Sequence, residues 1–149
     1  MKKSITFIAI ISIVTFLSFA FTNTTHTKTD SDVGISFFNG TWEEALAKAK
    51  AENKIIFLDS YASWCGPCKI LSKRYFTKKN VGEFYNANFI NFKMDMEKNP
   101  NGPRLNKKFK LRGYPTLYFV DSNENIVKQS VGLVDDKKLI AFGKEALAK

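Results

Sequence analysis

The sequence predicts an α/β domain in which a central mixed β-sheet carries helices on both faces. Three observations lead there. Hydrophobic periodicity switches along the chain between helical spacing and short apolar runs, in the order helix, strand, helix, strand, helix, β-hairpin, helix. The run Ile55-Ile56-Phe57-Leu58 is apolar at consecutive positions, as expected of a strand covered on both sides. At 149 residues, 44% of them apolar and 14 of them Phe, the chain can bury a core without staples.

The elements follow in order. Met1-Lys2-Lys3 precedes an apolar run from Ile5 to Phe21 interrupted only by Ser and Thr, which has the form of a secretory signal. Ser18-Phe19-Ala20 offers a small-x-small cleavage site, so residues 1–20 are expected to be a signal peptide. Residues 21–33, rich in Thr, Asn, Ser and Asp, read as a flexible linker, and 34–149 as the folded domain. An uncleaved membrane anchor is the alternative for the apolar run, and no cysteine follows it to indicate a lipoprotein. Either way the domain is expected outside the cytoplasm, periplasmic or secreted.

Within the domain, Thr41 and Glu44 form a capping box, and Trp42, Ala45, Leu46 and Ala49 recur on one face of a helix over 42–53. Ile55 to Asp59 is the first strand. A helix is expected from Cys65 to about Lys78, a short one over Val81–Asn86, and a strand over Phe89–Met94. Gly102-Pro103 opens a helix that turns Leu105 and Phe109 inward. Thr116–Val120 and Ile126–Val131 pair as a hairpin across the turn Ser122–Asn125. Residues 135–148 form the last helix, with Leu139, Phe142 and Ala146 on one face.

Chemistry concentrates at Trp64-Cys65-Gly66-Pro67-Cys68-Lys69, which holds both cysteines of the protein. Two thiols separated by a Gly-Pro turn can close a small disulfide ring where a buried strand hands over to a helix. A thiol at a helix N-terminus meets the positive end of the backbone dipole and unpaired N–H groups. Both favour thiolate, the species that attacks disulfides. The motif therefore points first to a thiol–disulfide oxidoreductase. In an oxidising compartment such a pair stands as a disulfide unless something reduces it. An inert bridge is the plainer alternative, but so short a loop removes little unfolded-chain entropy. A structural zinc site ordinarily takes four Cys or His ligands. The chain has two Cys and one His, His26, remote from the motif, so neither metal nor cofactor is expected.

The formal net charge is +9, or +7 (9 − 2) once Lys2 and Lys3 are removed with the signal. Its lysines are dispersed, with one denser run at Lys107, Lys108, Lys110 and Arg112. Nucleic-acid binding would want such charges interleaved with exposed aromatics on one face. The pattern reads instead as solvated helix faces with a weak attraction for acidic partners or membrane surfaces.

The Trp-Cys-Gly-Pro-Cys-Lys motif, Gly113-Tyr114-Pro115-Thr116 and Gly132, in this order over roughly residues 40–149, together resemble the thioredoxin family. The opening helix and Lys54-Ile55-Ile56-Phe57-Leu58-Asp59 are similar to exported members and to the C-terminal thiol domain of periplasmic reductant conductors. The resemblance implies a thioredoxin-like fold with a Cys65–Cys68 redox disulfide, Cys65 being the exposed nucleophile and Cys68 the buried resolving thiol. Asp59 would be a buried acid that exchanges a proton with Cys68, tuned by Lys93 across the sheet. The plainer readings are a strand-end Asp bonded to backbone and solvent and a solvated Lys93.

Trp64 would shield the pair and contact partners, or simply pack. Pro115 would be cis and expose the backbone of Tyr114, where an extended substrate adds as a strand. Gly66 and Pro67 form the turn, and Gly113 and Gly132 let the substrate approach. Two departures stand out: Lys73 replaces a helix-kinking proline, implying a straighter helix, and the Asn99–Arg112 connection is long and basic. The implied function is a protein-disulfide reductase, monomeric, taking electrons from a membrane or soluble donor and acting on oxidised protein thiols. Oxidase or isomerase action, and a redox-regulated binding module, remain as alternatives.

Overall fold

A computed structural model describes residues 34–148. The expected signal peptide (1–20), the linker (21–33) and His26 lie outside the described residues. The elements run α1 (Trp42–Glu52), β1 (Ile55–Tyr61), α2 (Gly66–Ile70), a π-helical segment (Leu71–Tyr75), α3 (Lys79–Asn88), β2 (Phe89–Asp95), α4 (Gly102–Phe109), β3 (Thr116–Val120), β4 (Ile126–Val131) and α5 (Asp136–Leu147).

The sheet order is β2-β1-β3-β4. β1 pairs parallel with β2, and β1/β3 and β3/β4 pair antiparallel, so the sheet is mixed as expected. β1 is central and buried on both faces, and alternation divides its side chains between two cores. Ile56 and Leu58 join Trp42, Ala45 and Ala49 of α1 and Leu105 and Phe109 of α4. Phe57 joins Leu71, Val81, Tyr85, Leu139 and Ala146 from the opposite helices. Helices therefore cover both faces, and the two hydrophobic clusters each remove large side chains from water, at about 1.5–3 kcal/mol apiece.

Local signals account for the element ends. Thr41 Oγ1 accepts the Glu44 N–H at 3.2 Å while Glu44 Oε2 accepts the Thr41 N–H at 2.7 Å, completing the capping box that starts α1. Asn53 ends it in the left-handed conformation (φ 50°), which asparagine tolerates. Asp135 starts α5 by accepting the Lys138 N–H at 2.8 Å.

Three details differ from the sequence reading. The strands run longer, to Tyr61 and Asp95. The helix after Cys68 is not a straight α-helix: its second half winds as a π-turn closed by Phe76 N–H donating to Leu71 O at 3.0 Å. At 3.6 residues per turn, residues five apart diverge by about 140°. The wider turn aligns Leu71 and Phe76, which are 0% and 3% exposed in the same core.

The third difference is that part of the basic run is not merely solvated. Glu124 accepts from Trp42 Nε1 at 2.6 Å, from both terminal nitrogens of Arg104 at 2.7 and 2.6 Å, and from Lys108 Nζ at 2.8 Å. These partners hold its carboxyl well below the usual range, at about 2.

Candidate active site

The site forms where β1 ends and α2 begins. After Tyr61 the chain turns through Ala62–Trp64, and Cys65 occupies the N-cap of α2 in extended conformation. Its Sγ accepts the Cys68 N–H at 3.1 Å, as a capping oxygen would. Pro67 sits in the first turn, where its missing N–H costs nothing. Cys65 and Cys68 are joined as a disulfide, with an S–S distance of 2.06 Å and Cα atoms 5.3 Å apart.

The expected contrast between an exposed Cys65 and a buried Cys68 is not what the disulfide form shows. Cys65 is 2% exposed and Cys68 6%. Capping folds the Cys65 side chain back over the helix start, and it packs with Ala62, Tyr61 and Tyr114. What distinguishes Cys65 is the N–H aimed at its sulfur. Such a bond strengthens when the acceptor becomes a thiolate.

Asp59 lies two residues before the end of β1, on the face that carries Phe57 and Tyr61. It is 2% exposed, and no hydrogen bond reaches its Oδ1. Burial raises its pKa to about 7, with Lys93 opposing the rise. Lys93 is the direct cross-strand neighbour of Asp59 on β2, as expected. Its ammonium does not bond the carboxylate, however. It lies over the rings of Tyr61 and Phe37, 4.9 and 5.3 Å from their centroids. Lys93 therefore acts on Asp59 through space.

A cavity of about 260 Å³ joins the two ends of the chemistry: Asp59 and Cys68 both line it, with Tyr61, Ser63 and Ser72 among its walls and Lys93 on its rim. Sequence reasoning passed over Tyr61, whose i+2 spacing from Asp59 was the available signal. Burial, with Asp95 and Asp59 nearby, raises its phenol above the ordinary value.

The remaining residues gather on the other flank. The Tyr114–Pro115 bond is cis, as the resemblance implied. Tyr114 precedes the sheet ladder, which starts at Thr116. Trp64 is 67% exposed, stacks edge-on against Tyr114 at 5.8 Å, and donates from Nε1 to Glu97 Oε2 at 2.9 Å. It is thus tethered rather than packed away. Glu97 had no sequence signal. Gly132 has φ +92°, which side-chain-bearing residues rarely adopt, and its N–H donates to Pro115 O at 2.8 Å. Gly66, Gly113 and Gly132 face open space where a Cβ would stand.

Comparison with known proteins agrees with this arrangement. The family model described as Thioredoxin matches residues 34–145. Thioredoxin-1 of Drosophila melanogaster is 34% identical over 89 residues, covering 60% of this chain and 76% of the relative. The thiol:disulfide interchange protein DsbD of Haemophilus influenzae is 36% identical over 90 residues, 58% of this chain but 15% of DsbD. Among solved structures, a disulphide-isomerase candidate from Bacteroides thetaiotaomicron aligns with TM-score 0.68 and 41% identity, over 76% of this chain and 93% of that one. The oxidised C-terminal domain of Neisseria meningitidis DsbD shares the fold, with TM-score 0.60 and 24% identity over 74% and 99% of the two chains. The chain belongs to the thioredoxin family, as a thiol–disulfide oxidoreductase with a Cys-X-X-Cys pair.

Proposed function

We propose that the protein is an extracytoplasmic protein-disulfide reductase. One observation carries the reading: Cys65 caps a helix with an N–H on its sulfur, while Cys68 shares a cavity with an acid whose pKa is about 7. In the reduced protein, Cys65 thiolate attacks a substrate disulfide, forming a mixed disulfide and releasing one substrate thiolate. Asp59 carboxylate takes the Cys68 proton, and Cys68 thiolate attacks Cys65 Sγ. The second substrate thiol leaves, the protein holds its Cys65–Cys68 disulfide, and two electrons have passed to the substrate. A donor dithiol, membrane-bound or soluble, restores the reduced protein by the reverse exchange.

Substrate would lie against Trp64 and Tyr114 and pair with the backbone before β3, with Gly113 and Gly132 leaving room. The reducing direction is supported by the Gly-Pro dipeptide and by the lack of a histidine between the cysteines to stabilise the thiolate further. The signal-like N-terminus supports an extracytoplasmic location. Trapping tests the reading. Cys68→Ser is expected to accumulate mixed disulfides with extracytoplasmic proteins through Cys65, and Cys65→Ser to form none. Absence of trapped partners in the first variant, or their persistence in the second, overturns it.

A further inference from the structure

The stretch after the disulfide carries a run of positive charge that is mostly without an ion-pair partner among the described residues. Between Asp59 and Glu83 the chain has five cations, Lys69, Lys73, Arg74, Lys78 and Lys79, and no carboxylate. Lys79 pairs with Glu83 at 3.9 Å. The other four make no ion pair among the described residues, and all four are exposed. Elsewhere some cations meet a carboxylate, Lys48 and Lys54 at Glu52, Arg104 and Lys108 at Glu124, and Lys128 at Glu145. What sets this stretch apart is that its unpaired cations are clustered with no acid between them.

The four cations without an ion pair line one shallow, open surface together with Ile70 and Thr77, and Arg74 also lies over the Tyr75 ring, 5.6 Å from its centroid. Ile70 is 46% exposed, a large aliphatic side chain left in water amid lysines. The surface begins at Lys69, adjacent to Cys68, and Lys69 and Lys73 also line the cavity that holds Cys68 and Asp59. Four like charges held together raise the local concentration of oppositely charged partners and steer their approach.

Resting on the oxidoreductase reading above, we propose that this surface docks an acidic segment of the substrate protein, so that disulfides flanked by Asp and Glu are reduced preferentially. The surface runs along α2 and the π-helical segment and on past their end to Lys78, a course that suits a few extended residues whose side chains alternate in direction. Within them, alternating acids would meet the cations and one aliphatic side chain would cover Ile70.

The test uses single-turnover reduction by protein that has been pre-reduced and freed of reductant. Its substrates are two disulfide peptides, identical except for acidic or basic flanks, and the neutral hydroxyethyl disulfide. The acidic peptide is expected to react roughly tenfold faster than the basic one at low salt, the ratio falling towards one at high salt. Arg74→Glu with Lys78→Glu should abolish or reverse that preference while leaving hydroxyethyl disulfide reduction unchanged, which also shows that the variant is folded. Lys137→Glu with Lys138→Glu on α5 changes net charge equally and should keep the preference.

Equal rates for the two peptides, or equal loss in both double variants, would overturn the proposal. So would phosphatidylglycerol-vesicle binding that needs Arg74 and Lys78 while peptide preference does not, since the surface would then serve a membrane. Failure of the native protein to reduce hydroxyethyl disulfide would count against the oxidoreductase reading instead.

Discussion

Replacing Asp59 by asparagine removes a proton-binding group from the interior while keeping its shape. In the unfolded chain the carboxyl titrates at its ordinary value of 3.8, and in the fold at about 7. Between those values the folded protein holds a proton that the unfolded chain has released, so stability falls as pH rises. Above about pH 7 both states are ionised and the cost is complete. A difference of roughly three pKa units corresponds to about 4 kcal/mol, at 1.36 kcal/mol per unit. Some of that remains at about pH 5, so the contribution changes by about 2–3 kcal/mol between pH 5 and pH 8.

The assay is urea denaturation of the disulfide form of both proteins at several pH values across that range. Groups common to both cancel in the difference, and the burial of the asparagine amide adds only a constant. The advantage of Asp59→Asn is expected to grow by about 2–3 kcal/mol from pH 5 to pH 8. Parallel stability curves would show that Asp59 is ionised well below neutrality, and the proton-transfer role assigned to it would fall.

Three further outcomes are expected. Asp59→Asn should slow resolution of the mixed disulfide near neutral pH, and raising the pH should recover part of the rate as Cys68 ionises unaided; stopped-flow quenching measures this, and a pH-independent deficit would contradict it. Brief alkylation of the reduced protein should label Cys65 before Cys68, because the helix N–H favours its thiolate; peptide mapping showing Cys68 first would reverse their roles. Glu124→Gln should cost about 1–2 kcal/mol at neutral pH, discounted because Arg104 and Lys108 are half-exposed. That cost should be present above about pH 4.5 and shrink as pH falls towards the folded value of about 2, so equal destabilisation at pH 7 and pH 2 would contradict the assignment.

How far the sequence could be read depended on the range of the interactions involved. The capping box at Thr41 and Glu44 is local, and the structure forms it. The placement of Lys93 opposite Asp59 needed only two apolar strands in parallel register. The π-turn was not legible, because it depends on Leu71 and Phe76 both finding the same core across the sheet. Nor was Glu124, an ordinary turn residue until Trp42, 82 positions away, offers its indole N–H. The burial of Cys65 was missed for a related reason: family likeness supplies a role, whereas exposure depends on how Tyr61 and Tyr114 pack over the ring.

Equilibration of the Cys65–Cys68 pair against glutathione redox buffers tests the reductase account most directly. Each ~30 mV is worth about 1.4 kcal/mol for this two-electron couple, so the direction is set by a modest margin. The account predicts that the protein is mostly disulfide in a buffer poised at about −180 to −210 mV. A protein that remains mostly dithiol there would be an oxidant, contradicting the reductase reading.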